Sequence, residues 1–304
     1  MSSDVILETK ILSSLEKVFA DEELNAIEFN RGSMLQNEVY SFQIAYKWND
    51  FMMKQVEVSV ISEISPWINI RRVGLIPSEM PCYADHDNNI LRTTPGLYPD
   101  ALMPMSAEGL TLLPHQWRSI WITVNPNEQV ETGNYPITII FKSPSGDELG
   151  KVEFQLEVIN AKLPQQSLIH TQWFHTDCLA TWYGVEIFSE EHWTIIEKYI
   201  HTAVKHGINM ILTPLFTPPL DTAVGGERPT VQLVDVEKQK DTYVFGFDKL
   251  KRWIDICLDN GVQYFEFSHL FTQWGAKHAP KIMAMENGEL KRIFGWDTDA
   301  AGED

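Results

Sequence analysis

The sequence predicts two domains in series, a β-sandwich and then part of a (β/α)8 TIM-type barrel. In the first half, apolar residues recur at every second position, which is typical of strands with one buried and one wetted face. Beyond Leu163 the spacing becomes helical between short apolar runs, which indicates strands alternating with helices. We therefore assign residues 1–162 to the sandwich and residues 163–304 to three β/α units.

Five alternating runs predict strands of the sandwich. They lie at 42–48, 56–60, 120–124, 137–141 and 152–158. In the last run Glu153, Gln155 and Glu157 mark the wetted face. The stretch 11–24 fits a helix or a strand equally well. The proline-rich segment 76–114 shows little alternation and is predicted to be a long ordered excursion.

The second domain is predicted from two helices and three strands. Ser189 is placed to cap a helix that Gly207 ends, and a strand at 210–213 follows. A second helix, ending at Gly261, is expected to bury five residues, and strands are expected at 168–174 and 262–267. The five are Leu250, Trp253, Ile254, Cys257 and Leu258. Because a complete barrel takes about 250 residues, the chain is expected to be a fragment or to obtain the remaining units elsewhere.

Composition and charge exclude several classes of partner. The net charge of −18 opposes binding to nucleic acid or to an anionic membrane. No run of 18 apolar residues predicts a membrane-spanning helix, and no leader precedes the first strand, so a cytoplasmic location is expected. Cys82, Cys178 and Cys257 are widely spaced and are expected to be reduced thiols. The sequence predicts neither a cofactor nor a particular oligomeric state.

Polar and aromatic side chains follow the three predicted parallel strands. Because the carboxyl ends of parallel strands meet at one edge, these residues are expected to surround one binding site. The candidate ligand-binding residues are Trp173, His175, Asp177, Arg228, Glu266, His269, Gln273 and Trp274. A hairpin formed by 231–236 and 242–247 is expected to shape this rim or to be only a structural insertion.

Several candidates have two interpretations. His175 and Asp177 have the spacing of a metal-binding pair on a strand, but no third ligand is evident, and a hydrogen-bonding cluster is the alternative. Glu266 lies in an apolar strand, where it either forms an ion pair, for example with Arg228, or binds a ligand hydroxyl. Trp274 fits a sugar platform or a core position. Motifs for nucleotide binding, zinc proteolysis and serine hydrolysis are absent.

Several contiguous segments of the sequence resemble glycoside hydrolase family 123. One is Trp173-Phe-His-Thr-Asp-Cys178, and the others lie at 213–222, 226–234, 268–276 and 294–297, with a further match at 95–100. The resemblance implies a β-sandwich followed by a (β/α)8 barrel. It also implies release of terminal β-linked N-acetylgalactosamine by substrate-assisted retaining hydrolysis. In that mechanism the acetamido oxygen of the substrate replaces the enzyme nucleophile.

The resemblance also implies an adjacent Asp-Glu pair at the end of a later barrel strand, where one carboxyl orients the acetamido group and the other protonates the leaving oxygen. In this chain Asp-Glu occurs only at 21–22 and 147–148, in the predicted sandwich, and in reverse order at 303–304. No catalytic residue is therefore assigned, and this chain alone is expected to be inactive. The alternative is a non-catalytic glycan-binding or interaction protein that retains only the rim of the sugar site.

Overall fold

The computed structural model describes residues 7–220 and 222–302, and the chain folds into two compact units with the boundary between Pro164 and Gln165. Asp221 and Glu303-Asp304 lie outside the described residues. Within its described part, unit 1 consists of strands joined by turns. These strands are β1 (Leu7–Ser13), β2 (Arg31–Leu35), β3 (Tyr40–Trp48), β4 (Met53–Ile61), β5 (Ile68–Ser78), β6 (Gly96–Pro104), β7 (Leu110–Leu112), β8 (Trp117–Val124), β9 (Gly133–Lys142) and β10 (Glu148–Ile159), with a 3-10 turn at Ser65–Trp67.

The strands of unit 1 form two five-stranded sheets. The first has the order β1-β3-β8-β5-β6 and the second has the order β2-β10-β9-β4-β7. Strand β2 pairs parallel to β10, and the other paired neighbours run antiparallel. Phe42 and Ile44 from the first sheet share one buried cluster with Phe141 and Phe154 from the second. The two sheets therefore form a sandwich around a common core.

The alternating pattern is confirmed in the strands that face this core. Ile120, Ile122 and Val124 are fully buried in β8, and each of the five predicted runs lies within a strand. The rings of Phe42 and Phe154 are stacked, with centroids 4.0 Å apart and planes 14° apart. This contact joins the two sheets directly.

Two segments of unit 1 differ from the sequence prediction or resolve it. The ambiguous stretch 11–24 begins with the end of β1 and continues as turns and coil. The segment 76–114, predicted to be a long ordered excursion with little alternation, contains the end of β5 together with β6 and β7. Pro99 and Pro104 lie in β6, the edge strand of its sheet, which is where a strand tolerates proline because one side of it carries no ladder.

Unit 2 contains helices and strands. Its elements are β11 (Thr171–Gln172), α1 (Thr176–Tyr183), α2 (Glu190–Lys205), β12 (Met210–Thr213), β13 (Asp235–Gln239), β14 (Thr242–Gly246), α3 (Asp248–Asp259), β15 (Tyr264–Phe267), β16 (Ile282–Glu286) and β17 (Glu289–Phe294). Strands β11, β12 and β15 form a parallel sheet in that order. Trp193, Ile196 and Ile200 of α2 pack in one cluster with Ile211 of β12 and Trp253 of α3.

The two predicted helices are present, with one error in the second. The Ser189 side chain accepts a hydrogen bond from the His192 backbone N–H and so caps α2, and Gly207 follows the helix with a φ of 86°. In α3, Trp253 and Cys257 are fully buried, but Leu258 is 53% exposed, so its predicted core position is wrong. It lies on the outer side of a helix whose buried stripe is narrower than predicted.

A second sheet of unit 2 is built from two hairpins, in the order β14-β13-β16-β17, with β14 at one edge. Strands β13 and β16 join the hairpins through a short parallel pairing. The first hairpin was predicted, but its first strand starts at Asp235 rather than at Val231. The second hairpin, β16–β17, was not predicted.

The parallel sheet of unit 2 has two open edges. Strand β11 pairs only with β12, and so does β15, within the described residues. The part of the chain that the structure describes therefore shows three parallel strands with three helices between them in sequence, and these do not close a barrel. None of its helices is both long enough and apolar enough to cross a membrane.

The Phe42–Phe154 contact predicts that truncation at Phe154 destabilises unit 1. Phe154→Ala should lower its free energy of unfolding by about 3–5 kcal/mol because it opens a cavity between the sheets. Phe51→Ala is the matched control, since Phe51 is 88% exposed and its loss should cost less than about 0.5 kcal/mol. Urea denaturation followed by fluorescence measures both, and equal losses in the two variants would contradict the proposed packing role.

Candidate functional site

The parallel register of unit 2 places three strand ends at one edge. Thr171 pairs with Met210, and Thr213 pairs with Phe267, so β11, β12 and β15 end on the same side of the sheet. The side chains that follow these strands, including Trp173 and His269, therefore start from neighbouring positions. This edge is where ligands bind in parallel β/α folds.

Glu266 is the centre of a polar cluster at this edge. Its Oε2 accepts hydrogen bonds from Trp173 Nε1 and from Thr171 Oγ1, each at 3.0 Å. The His269 ring lies edge-on to the Trp173 indole, with centroids 5.3 Å apart. We call Thr171, Trp173, Glu266 and His269 the Glu266 cluster. It unites three of the eight predicted ligand-binding residues.

The Glu266 cluster has unused capacity for a ligand. Glu266 Oε1 accepts no hydrogen bond from any described residue. The side chain is half-buried, so a ligand from solvent can reach this oxygen. Trp173 is 47% exposed even though its indole N–H is fixed by Glu266. A half-exposed indole beside a carboxylate oxygen can bind a molecule that has both an apolar face and hydroxyl donors.

Asp177 and Arg228 form a second centre, which we call the Asp177 pair. Arg228 Nε and Nη2 each donate to one Asp177 oxygen at 3.1 Å, in the forked geometry that favours arginine. Arg228 also contacts Cys178 Sγ at 3.1 Å and donates to the Leu220 carbonyl at 3.3 Å. Asp177 is 3% exposed. Burial acts to lower the pKa of Arg228, but the hydrogen bonds and charge of Asp177 outweigh it and raise that pKa.

The Asp177 pair corrects two sequence predictions. Glu266 is not the described carboxylate that pairs with Arg228, because Asp177 holds that position. His175 and Asp177 do not lie on a strand, since β11 ends at Gln172, His175 is the N-cap residue of α1 and Asp177 lies in its first turn. The described residues contain no group of three or more His, Cys, Asp or Glu side chains arranged to hold a metal ion.

An ion network holds the loop that carries Arg228. Lys281 Nζ donates to the Arg228 carbonyl at 3.1 Å and lies 3.3 Å from Glu227. Glu227 also accepts from Arg292 at 2.6 Å, and the Arg292 hydrogen bond is the main reason why the pKa of Glu227 is lowered. Trp296 Nε1 donates to the Gly226 carbonyl at 2.7 Å. Lys281, Arg292 and Trp296, in and beside the β16–β17 hairpin, thus hold the loop at residues 226–228 in place.

His192 is a buried residue that the sequence analysis did not select. Its Nδ1 accepts from the Phe188 N–H at 2.9 Å, and its Nε2 lies 2.9 Å from the Thr176 carbonyl. Because Nδ1 accepts, Nε2 carries the proton and the imidazole is neutral. His192 thereby ties the start of α2 to the first turn of α1, which carries Asp177.

The remaining candidates lie outside these two centres. Gln273 Nε2 donates to the Thr222 carbonyl at 2.6 Å, so its amide fixes a loop. Trp274 is 68% exposed in a turn, with a φ of 69°, which excludes the core alternative. No hydrogen bond or ring contact between described residues joins Trp274 to the Glu266 cluster.

Two cavities of unit 2 differ in their relation to the predicted residues. A cavity of about 530 Å³ lies between the end of β11 and helix α2, and its lining includes Trp173, Phe174, Tyr183 and Tyr199. A second cavity, of about 830 Å³, lies over the sheet β14-β13-β16-β17. It is lined mainly by apolar side chains, and none of the eight candidates lines it. The cavity that includes Trp173 is the one connected to the Glu266 cluster.

The Asp177 pair predicts a large effect of removing Arg228. Arg228→Gln should lower the free energy of unfolding of unit 2 by about 3 kcal/mol, because it leaves the Asp177 carboxylate buried without its cation. Arg252→Gln is the matched control, because Arg252 forms a similar forked pair with Glu190 in a solvent-exposed position. Chemical denaturation measures both, and a loss for Arg252→Gln as large as that for Arg228→Gln would contradict the buried role.

His192 predicts a pH dependence of stability. Burial lowers its pKa below the ordinary value of 6.5, against the hydrogen bond to Thr176 and the charge of Asp177, which act to raise it. The unfolded chain therefore binds this proton more tightly, and the contribution of His192 is present above pH 6.5 and lost as the pH falls below it. His192→Gln should lose less stability than the wild type between pH 7.5 and 5.

The control for this pH series is His201→Gln, which removes an exposed imidazole from the same helix. Free energies of unfolding from urea titrations at several pH values give the slopes. If His192→Gln and the wild type had the same slope below pH 6.5, the neutral buried imidazole would not be responsible for the acid sensitivity.

Comparison with known proteins agrees with the resemblance stated above. Residues 173–303 match the family model for the glycoside hydrolase 123 catalytic domain. The chain is similar in fold to a family 123 glycoside hydrolase from Clostridium perfringens, with a TM-score of 0.72 and 14% identity. The structure of that enzyme was determined to study glycolipid glycan hydrolysis. The match covers 95% of this chain and 52% of the Clostridium perfringens chain, so this chain spans about half the length of that relative.

Other similarities are weaker. The N-terminal domain of PorA matches 51% of this chain and 100% of its own length with a TM-score of 0.25 and 11% identity. AvmM, which catalyses a macrocyclisation, matches 53% of this chain and 94% of its own with a TM-score of 0.27 and 8% identity. Both scores are too low to support a common fold, and no curated protein matches the sequence. The family 123 resemblance is thus confirmed for residues 173–303, which match the glycoside hydrolase 123 catalytic domain model.

Proposed function

We propose that this chain is part of a glycoside hydrolase that releases terminal β-linked N-acetylhexosamine, with β-N-acetylgalactosamine as the substrate. In this proposal residues 1–162 are the β-sandwich domain and residues 163–304 are the first three β/α units of a TIM-type barrel. The observation that carries it is the Glu266 cluster, at the carboxyl edge of a parallel sheet within the family 123 segment. A cytoplasmic location is part of the same proposal.

The chemistry of the Glu266 cluster supports a saccharide ligand. A pyranose ring presents C–H groups on one face and hydroxyl donors at its edge. The half-exposed Trp173 indole can pack on the C–H face, and Glu266 Oε1 can accept from a hydroxyl. His269, beside Trp173, offers a further donor or acceptor at the same edge.

The other candidates have supporting roles in this proposal. The Asp177 pair fixes the loop that borders the site, and Arg228 is one of the residues proposed to contact the sugar. His175 and Gln273 line the same rim. Trp274, exposed in the turn after β15, supplies a second aromatic surface on the sugar.

Catalysis is assigned to residues beyond the three β/α units. Among the described residues, strands β11 and β15 each pair on one side only, which leaves both edges of the sheet open to further β/α units. The described Asp-Glu pairs lie in unit 1, where Asp21 forms hydrogen bonds with Arg92 and Asp147 accepts from Ser145. The proton donor and the carboxylate that orients the acetamido group would therefore come from later barrel strands.

A non-catalytic glycan-binding protein is the second candidate function. The observation that favours it is the position of Asp21-Glu22 and Asp147-Glu148, since neither pair lies at a strand end of unit 2. Both candidates require saccharide binding at the Glu266 cluster, but only the first requires turnover.

Binding of N-acetylgalactosamine by the 304-residue chain tests the shared requirement. Titration calorimetry should give a dissociation constant that rises at least tenfold in Glu266→Gln, because a hydrogen bond to a charged acceptor contributes about 1.5–3 kcal/mol. Glu197→Gln, an exposed position on α2, is the matched control. A Glu266→Gln variant that binds as tightly as the wild type would remove the proposed site.

Turnover separates the two candidates. The protein from the complete coding sequence should hydrolyse 4-nitrophenyl β-N-acetylgalactosaminide. Activity on a different glycoside, with none on this one, would reject the substrate. Saccharide binding without hydrolysis of any glycoside would favour the binding protein.

A further inference from the structure

A cavity of about 580 Å³ in unit 1 has an unusual charge for this protein. Its lining includes Lys54 of β4, Arg72 of β5 and Arg118 of β8, and the chain as a whole carries a net charge of −18. Glu108 is the acidic residue of the lining, and it is exposed and forms no ion pair with a described residue. The cavity is therefore a positive concavity in an acidic protein.

Arg118 extends over the core side of the first sheet. It lies directly across from Tyr46, which is 5% exposed and belongs to the sandwich core. Arg72 pairs with Ile120, another core residue, on the neighbouring strand. Both side chains therefore leave the same face of adjacent strands, where Arg118 is half-buried and Arg72 is exposed to solvent.

The Arg118 side chain lacks the partners that such a position demands. Its Nε is buried and has no hydrogen-bond partner, and its Nη2 donates only to the neutral Gln116 amide oxygen at 2.9 Å. No described carboxylate forms an ion pair with Arg118, and burial lowers its pKa. By contrast Arg92, Arg252 and Arg292 each bind a carboxylate.

A half-buried cation whose buried Nε–H has no hydrogen-bond partner is costly, and a bound anion would supply that partner. Arg72 and Lys54 also form no ion pair with a described residue, so their charges add to that of Arg118 in the cavity. Ser106 and Thr111 supply hydroxyl groups in the same lining. Low-dielectric walls concentrate the field of these charges on the cavity.

We propose that this cavity is an anion-binding site that takes a carboxylate, sulfate or phosphate group, with Arg118 as its principal donor. Arg118 Nε and a guanidinium N–H present the fork that matches two oxygens of such a group. Arg72 and Lys54 neutralise it from the more exposed side. The volume accommodates a free ion or an acidic group carried by a monosaccharide-sized molecule. The site rests on unit 1 alone and is independent of the proposed hydrolase function.

The test uses the 304-residue chain and three probes, sodium sulfate, sodium phosphate and sodium glucuronate, each titrated by calorimetry against sodium chloride at equal ionic strength. We expect saturable binding at one site per chain. Arg118→Gln should raise the dissociation constant at least tenfold, because it removes a charge-assisted hydrogen bond. Arg72→Gln should raise it severalfold.

Arg71→Gln is the matched control, because it removes the same charge from the next position of β5 and Arg71 does not line the cavity. It should change the dissociation constant less than twofold. Without anion, Arg118→Gln should have a midpoint of thermal unfolding equal to or above that of the wild type, because it removes an unpaired half-buried charge. The anions should then raise the midpoint of the wild type but not that of Arg118→Gln.

Several results would overturn the proposal. They are the absence of saturable binding beyond that of chloride, an equal loss of binding in Arg71→Gln and Arg118→Gln, and unchanged binding in both Arg118→Gln and Arg72→Gln. If Arg118→Gln fails to fold, Arg72→Gln alone decides between support and rejection. Two further outcomes would both support the site and would identify its ligand. Glucuronate binding more than tenfold tighter than sulfate and phosphate would indicate an acidic group on a larger molecule. Equal affinities for the three probes would indicate a free ion.

Discussion

Parallel pairing among β11, β12 and β15 is the constraint on which the rest of unit 2 depends. Because all three strands run in one direction, their ends lie at one edge, and loops separated by about forty or more residues in sequence begin beside each other there. The hydrogen bond from Trp173 to Glu266 spans 93 residues and exists only because of this register. A slip by one residue would turn Glu266 to the opposite face of the sheet.

Charge burial then decides which polar groups of unit 2 remain available to a ligand. Asp177 is almost fully buried, and Arg228 engages both of its oxygens, so this carboxylate stabilises the loop. Glu266 is less buried and receives only neutral donors on one oxygen. The candidate site therefore contains two kinds of carboxylate. Asp177 is satisfied by an internal cation, and Glu266 keeps one oxygen available to a ligand.

Local signals made much of the fold predictable. Ser189 and Gly207 delimit α2 through capping chemistry that involves only neighbouring residues, and the period-two runs identify the core strands of the sandwich. The Asp177 pair and the Glu227–Arg292 contact were not predictable, because 51 and 65 residues separate their members. Helix α1 was missed since it has eight residues and no regular apolar stripe. Polar candidates could be selected from strand ends, but their partners are set by tertiary contacts.

The edge strand β14 has a consequence for handling the protein. Its exposed Tyr243, Val244 and Phe245 belong to an uncharged run, 242–247, and the open side of the strand presents unpaired backbone groups. Such edges template intermolecular β-pairing, which leads to aggregation at high concentration. The charged residues that flank the run, at 240–241 and 248–249, act as gatekeepers against it. Resistance to β-pairing at this edge thus depends on charges at the two ends of one short strand.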